Sequence, residues 1–488
     1  MFTGYTVVGH LSSRGAMPKD QSEPDLARAL GPFSLTLFGV GTVVGAGIFV
    51  LTGHAAAVYA GPAVTVSFLI GAVVCAFTAL CYAELAAMLP VAGAAYSFTR
   101  YTFGQTTGWV VGWALVAEML FAGCAVAIGW SGYVQDVVAG IGLKLPAALA
   151  VSPLALQPQG LVPTGALVNL PAVAMVLVMT GFLYAGTRES ARFNAVIVLI
   201  KISAIVLFTV FGLAYAHSRN WVPFMPDRVV RADGSSAYGL SGVLKAAGIV
   251  LFAFLGFDTV ATAAQETRRP ERNVPIAILG ALGICTLLFI GVSLAMTGLV
   301  DFHQLDTPAP LTTALAAAGP DLAWLKLYVG IAASIGLGSA VLVAVFALSR
   351  LLFAMARDGL LPARLCSVEP RSGTPRFAVV TSGAVAAVVA GVMPIGLLGE
   401  LVSTGTLMAF TMVCAAVITL RLREPERPRP FRVPLWQVTA SLGVISCLFL
   451  LLSMGFAALG RILAWQAVGL VLFLVGRRVR RMRAAAIV

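Results

Sequence analysis

Charge is scarce in this chain: Asp, Glu, Lys and Arg make up only 11% of 488 residues. Soluble domains carry about 25%, so a surface facing water cannot be built from this composition. Residues that build metal or nucleophile sites are equally thin. The four histidines (10, 54, 217, 303) are scattered, which argues against a haem or metal centre. The seven cysteines (75, 81, 124, 285, 366, 414, 447) fall in apolar stretches or one loop, with no disulfide framework. No Gly-x-Ser-x-Gly and no His-Glu-x-x-His occurs, so neither a hydrolase elbow nor a zincin helix is present. The N-terminal segment, residues 1–30, lacks the apolar core of a signal peptide and reads as cytoplasmic.

What is abundant is apolar sequence: 59% of the chain, at a mean hydropathy of +0.95. It comes in stretches of about 20 residues, the length that crosses a bilayer core. The reading is an all-α polytopic membrane protein with twelve spans: 33–53, 60–88, 107–140, 165–185, 190–215, 241–263, 274–298, 322–355, 376–393, 398–420, 434–456 and 462–476. The formal charge of +12 raises the thought of nucleic acid, but its distribution points to topology instead. With both termini inside, inner segments hold 24 Lys and Arg against 7 in outer segments. That asymmetry is the positive-inside signature. The arginines at 477, 478, 480, 481 and 483 close the last span, where they can also touch anionic lipid.

Two spans carry glycine at mid-membrane. The first reads Gly39-Val-Gly-Thr-Val-Val-Gly45-Ala46-Gly47-Ile-Phe49 and the sixth Gly248-Ile-Val-Leu-Phe-Ala-Phe-Leu-Gly256-Phe-Asp258. Glycine inside a helix costs about 1 kcal/mol relative to alanine, and glycines also serve as packing notches between membrane helices. A matched pair, with Gly47 and Gly256 lying 209 positions apart, instead predicts two discontinuous helices in two halves of a transporter. A break in hydrocarbon frees backbone N–H and C=O groups, tolerable only where they face a cavity or a ligand. The half-helix that starts at Gly45-Ala46-Gly47 offers N–H groups and a positive dipole end to a carboxylate. Carbonyls before it, and those near Phe252, Ala253 and Leu255, suit an ammonium. A zwitterion such as an amino acid satisfies both.

Few charges remain inside the spans. Lys201 sits in the middle of Asn194-Ala-Val-Ile-Val-Leu-Ile-Lys201, about eleven positions from either end and too deep to snorkel. An insertion cost on the order of 2.5–3.5 kcal/mol makes it a candidate for proton coupling or for a fixed structural pair. Glu118 is the other mid-span charge: a partner for Lys201, a site residue, or a protonated packing residue. Asp258 can cap the half-helix after the sixth-span break or touch ligand. Glu84, near the inner end of the second span, reads as an interfacial partner for a basic loop.

Several segments together carry a family resemblance. They are Gly39 to Gly53, Tyr82-Ala-Glu-Leu-Ala-Ala-Met-Leu-Pro-Val-Ala-Gly-Ala-Ala-Tyr96, Ile128-Gly-Trp-Ser-Gly-Tyr133, Glu189-Ser-Ala-Arg-Phe-Asn194, Phe252 to Asp258 with Arg272-Asn-Val-Pro-Ile276, and Ser349 to Pro362. In this order they resemble the amino acid–polyamine–organocation superfamily, and within it the bacterial relatives of cationic amino acid transporters. The resemblance implies the leucine-transporter-type fold, two inverted five-helix repeats (31–216 and 217–420) followed by two helices (421–476) and a basic tail (477–488). It implies that a substrate carboxylate meets Ala46 and Gly47, with Gly45 in the unwound turn. The amine then meets backbone near Val43 and at Phe252, Ala253 and Leu255, and Phe252 also covers the site. Lys201 and Ser339 fall where relatives build a sodium-like site, with the ammonium in the ion's place.

Relatives often carry Ser or Thr at the position of Ala46, so backbone donors are left to hold the carboxylate. The expected activity is proton-coupled amino acid uptake across the inner (plasma) membrane, with Lys201, Ser339 and Glu118 as coupling residues. The proton is the coupling ion and no cofactor is expected; the partners are the substrate and the lipid bilayer, not nucleic acid. Exchange without net proton movement, or sensing without transport, are the alternatives.

Overall fold

The structure is a computed structural model. It describes residues 31–485 apart from 46, 90–93, 141, 144, 158–159, 187–190, 231–235, 258–259, 261–266, 268 and 370–373. Ala46 and Asp258, both singled out above, lie outside the described residues, as does the segment 1–30.

The fold is helical almost throughout. In chain order the helices are α1 (Pro32–Val43), α2 (Thr52–Ala55, between π-helical turns Gly47–Leu51 and Ala56–Ala60), α3 (Val64–Met88), α4 (Ala94–Phe103) and α5 (Gln105–Gly140). Then come α6 (Ala147–Ala150), α7 (Leu170–Ala185), α8 (Ala191–Ala214), α9 (Gly239–Val250) and α10 (Pro270–Leu299). The remainder are α11 (Pro310–Ala317), α12 (Ala323–Arg357), α13 (Arg376–Val392), α14 (Ile395–Arg423), α15 (Trp436–Ser453) and α16 (Phe456–Ala485). Two antiparallel strand pairs, Leu154–Gln157 with Gly160–Pro163 and Val229–Val230 with Ser236–Ala237, lie in the connections before α7 and α9.

Among the described residues, eight helical stretches are long and apolar enough to cross a membrane. Four shorter apolar helices accompany them: Pro32–Val43, Leu170–Ala185, Gly239–Phe254 and Arg376–Val392. The first expected span, 33–53, is divided between Pro32–Val43 and the start of Gly47–Met88, the sixth is matched as far as Phe254, and the other ten each overlap one of these stretches. Two of the short ones are short because glycine segments interrupt them. The outer half of the first expected span runs on to Ala60, past the expected end at 53, and passes through a 3-10 turn into α3. Helix starts follow local chemistry. Proline at the first turn opens α1, α10 and α11, where its missing N–H costs nothing. Asn169 caps α7 by accepting from the Ala172 N–H at 3.2 Å.

α5 and α14 form the centre: 89% and 78% of their apolar windows are buried, against 22% for α16. α5 packs most extensively on α12 and then on α14, while α14 also packs on α15. The exterior is apolar, with Leu287, Val388, Leu452 and Phe456 fully or largely exposed. An apolar surface this extensive suits lipid and not water. The chain is an integral membrane protein.

Candidate functional site

Both glycine segments interrupt their helices. α1 ends at Val43, and Val44 turns extended (φ −72°, ψ 93°) while its N–H still reaches the Val40 carbonyl at 2.9 Å. Helix resumes as the π turn Gly47–Leu51, anchored by a Phe49 N–H to Gly45 carbonyl bond of 3.3 Å. In the sixth span, α9 tightens into a 3-10 turn over Leu251–Phe254; Leu255 is then extended (ψ 138°) and Gly256 takes φ +113°. That φ belongs to glycine.

The two breaks lie against each other. A Cβ on Gly47 would stand 2.1 Å from the Ala253 Cα, so the outer half of the first span rests directly on the sixth. A Cβ on Gly256 would stand 2.9 Å from the Thr42 carbonyl carbon. Gly45 differs, since nothing lies within 4 Å of its would-be Cβ. Val43, Gly47, Phe252 and Ala253 are buried, while Gly45 and Leu255 are half-buried. The Phe252 carbonyl already accepts from the Leu255 N–H at 3.2 Å. The expected binding residues outside Ala46 therefore converge at one crossing.

Lys201 comes to this crossing from α8 and is 4% exposed. Its ammonium donates to the carbonyls of Gly41 (3.0 Å) and Val44 (2.9 Å), the last carbonyls before the break. Its aliphatic stem lies on Gly336 of α12, where a Cβ would come within 2.5 Å of Cγ and Cδ. Ser339, one turn further along α12, donates to the Gly336 carbonyl at 3.0 Å. Lys201 and Ser339 thus meet at Gly336, with the serine hydroxyl directed to its own helix. Glu118, buried on α5, accepts from the Thr406 hydroxyl of α14 at 3.0 Å. The Glu118 carboxylate therefore joins α5 to α14.

The sequence profile of the family described as amino acid permease matches residues 30–475. This chain belongs to the amino acid permease family. It is 40% identical over 457 residues to the branched-chain amino acid permease BcaP of Bacillus subtilis, covering 93% of this chain and 94% of that one. It is 41% identical over 469 residues to the methylthioribose transporter of the same organism, covering 96% and 97%. The vacuolar cationic amino acid transporter 4 of Arabidopsis thaliana is 34% identical over 409 residues, covering 84% of this chain and 66% of that one. The family and these relatives are transporters, so the permease is not an enzyme.

Several polar positions of the permease escaped the sequence reading. Thr42, two residues before the extended Val44, donates to the Gly39 carbonyl (2.8 Å) and across to the Gly256 carbonyl (3.1 Å). Tyr133 of α5, fully buried, donates to the Phe49 carbonyl at 2.6 Å and holds the π turn. Towards the expected outer side, His54 bonds Asp306 at 2.8 Å. There too Glu400 accepts from Tyr59 at 3.0 Å and pairs with Arg461. The Tyr133 signal lay in the quoted Gly-Trp-Ser-Gly-Tyr segment; the others had none beyond residue type.

Glu84 is a partner for a basic loop, as expected, but a buried one at 1% exposure instead of an interfacial one. Its carboxylate accepts from Arg421 Nε (2.8 Å) and Nη2 (2.6 Å) and from the Val433 N–H (2.7 Å), with Arg429 Nε at 3.4 Å.

Proposed function

We propose that this permease takes up amino acids by proton-coupled symport, working by alternating access with Lys201 as the coupling residue. The observation that carries the reading is the Lys201 ammonium on the Gly41 and Val44 carbonyls. A charged lysine holds the inner half of the first span against α8 and α12. Loss of its proton weakens that hold at the edge of the break, since a charge-assisted bond is about twice as strong as a neutral one. Proton release and movement of the half-helix are thereby linked. Substrate binds at the crossing. Its carboxylate meets the N–H groups at Gly45, Ala46 and Gly47, and its ammonium the backbone at Val43, Phe252, Ala253 and Leu255. The open space beside Gly45 supports this placement. Ser339, beside Gly336 under the Lys201 stem, and Glu118, bonded to Thr406 between α5 and α14, complete the proposed coupling set.

In the same reading, twelve helices cross the plasma membrane with both termini cytoplasmic. Residues 31–216 and 217–420 form inverted repeats, 421–476 two further helices and 477–488 a basic tail. Among the differing cargoes named for the relatives, the branched-chain amino acids of BcaP agree best with the apolar surroundings of the crossing, so the reading takes a neutral amino acid as substrate. In proteoliposomes a pH gradient should drive accumulation of a labelled amino acid, and Lys201→Ala should abolish the dependence on the gradient. Equal gradient-driven accumulation by the variant removes the role of Lys201. Counterflow with no gradient-driven accumulation in the wild type points to exchange instead.

A further inference from the structure

The two broken helices touch at two levels. At one, Gly47 rests on Ala253; at the other, Thr42 meets Gly256. The order of these contacts is antiparallel, 42 with 256 and 47 with 253. Between them lie Val44 and Gly45 of one break and Leu255 of the other, where the helical run is interrupted. The crossing is therefore a frame with two fixed corners. The Gly47 corner is steric. The Thr42 corner is polar.

Threonine in a helix commonly donates to a carbonyl three or four residues earlier. Thr36, Thr102 and Thr180 do this here, at 2.8, 2.8 and 2.7 Å. Thr42 does the same toward Gly39, but its oxygen also lies 3.1 Å from a carbonyl 214 positions away. That second carbonyl belongs to Gly256, whose φ of +113° and lack of a Cβ bring the sixth-span break against Thr42 and Val43. We propose that Thr42 is a positioning residue for substrate binding: its shared hydroxyl proton sets the separation of the two broken helices. The N–H groups of one break and the carbonyls of the other then fit one amino acid. This rests on the transport reading given above.

The test uses Thr42→Val, which keeps shape and removes the donor, Thr42→Ser, which restores the donor, and Thr42→Ala in case valine prevents folding. Each is assayed in proteoliposomes beside the wild type, using the amino acid the wild type accumulates. Thr42→Val, or Thr42→Ala, should raise KM about 3- to 10-fold, the scale of one lost hydrogen bond, with maximal velocity within about twofold. Thr42→Ser should return KM to the wild-type value. The melting temperature without substrate should barely move, while the shift produced by saturating substrate should shrink in the valine or alanine variant. An unchanged KM in both Thr42→Val and Thr42→Ala overturns the proposal. So does a serine variant as impaired as the valine one, because packing is then what matters. A wild type that neither accumulates nor counter-exchanges any of the twenty amino acids removes the amino acid transport reading first, an outcome visible before any variant is compared.

Discussion

At the scale of single residues the site is written mainly in backbone, and its glycines are not equivalent. Gly47→Ala puts a methyl 2.1 Å from the Ala253 Cα and 2.4 Å from its Cβ. Neither atom can swing away, so the half-helices must separate. Overpacking of this kind typically costs about 1–3 kcal/mol. The variant should melt several degrees lower and lose uptake. Gly45→Ala meets nothing within 4 Å and should melt like the wild type. Its methyl enters the space proposed for the carboxylate, so uptake should fall through a higher KM. Thermal melting and uptake kinetics on the two variants check this. Wild-type KM in Gly45→Ala would place the carboxylate elsewhere. The same scale explains why Lys201 was legible and its partners were not. A lysine in an apolar run announces itself, whereas the carbonyls of Gly41 and Val44 belong to residues whose names say nothing about accepting a hydrogen bond from it. Thr42 reads like any other helical threonine until the fold brings Gly256 beside it.

At the scale of elements, hydropathy and glycine placement located the long apolar helices and both interruptions, because each depends on the residues within it, but not α4, α6 and α11, which lie outside every expected span. What joins the elements was less visible. Glu84 on α3 holds Arg421 at the end of α14 and the Val433 N–H in the loop before α15. Arg429 fills the rest of that junction. It donates to the carbonyls of Leu420 (2.9 Å) and Glu424 (2.7 Å) through Nη2, and of Pro425 (3.1 Å) and Arg427 (2.9 Å) through Nη1. A guanidinium thus closes the C-terminal end of α14, whose last carbonyls have no partner inside the helix. From sequence, acid and arginines could be matched by sign, but their burial depends on three elements meeting.

Removing one partner of a buried ion pair leaves the other charge uncompensated, at about 3–5 kcal/mol. Glu84→Gln should accordingly lower the melting temperature in detergent well beyond Arg427→Ala. Arg427 pairs with Glu424 at 2.7 Å in a more exposed setting, where such pairs contribute about 0–1 kcal/mol. Equal melting of the two variants would remove the junction's structural role.

At the scale of the whole molecule, the apolar exterior fixes that the permease sits in lipid, and the arginine distribution alone speaks to which way it faces. On the proposed orientation, which follows the positive-inside bias, the segment between α12 and α13 lies in the cytoplasm, and the protein supplies its own probe there. Cys366, in the 3-10 turn Ala363–Cys366, is partly exposed, while the other six cysteines are buried. Thiol reagents need access to a thiolate, so a membrane-impermeant maleimide has one target in the folded protein. Intact cells or right-side-out vesicles should label weakly, and permeabilised ones strongly. Cys366→Ser should remove the permeabilisation-dependent signal. Strong labelling of Cys366 in intact right-side-out vesicles would invert the topology. It would also place the Glu84–Arg421 junction on the outer side and reverse the direction in which a proton gradient could load Lys201. In the proposed symport, the orientation thus decides which proton reservoir Lys201 sees in each half of the transport cycle.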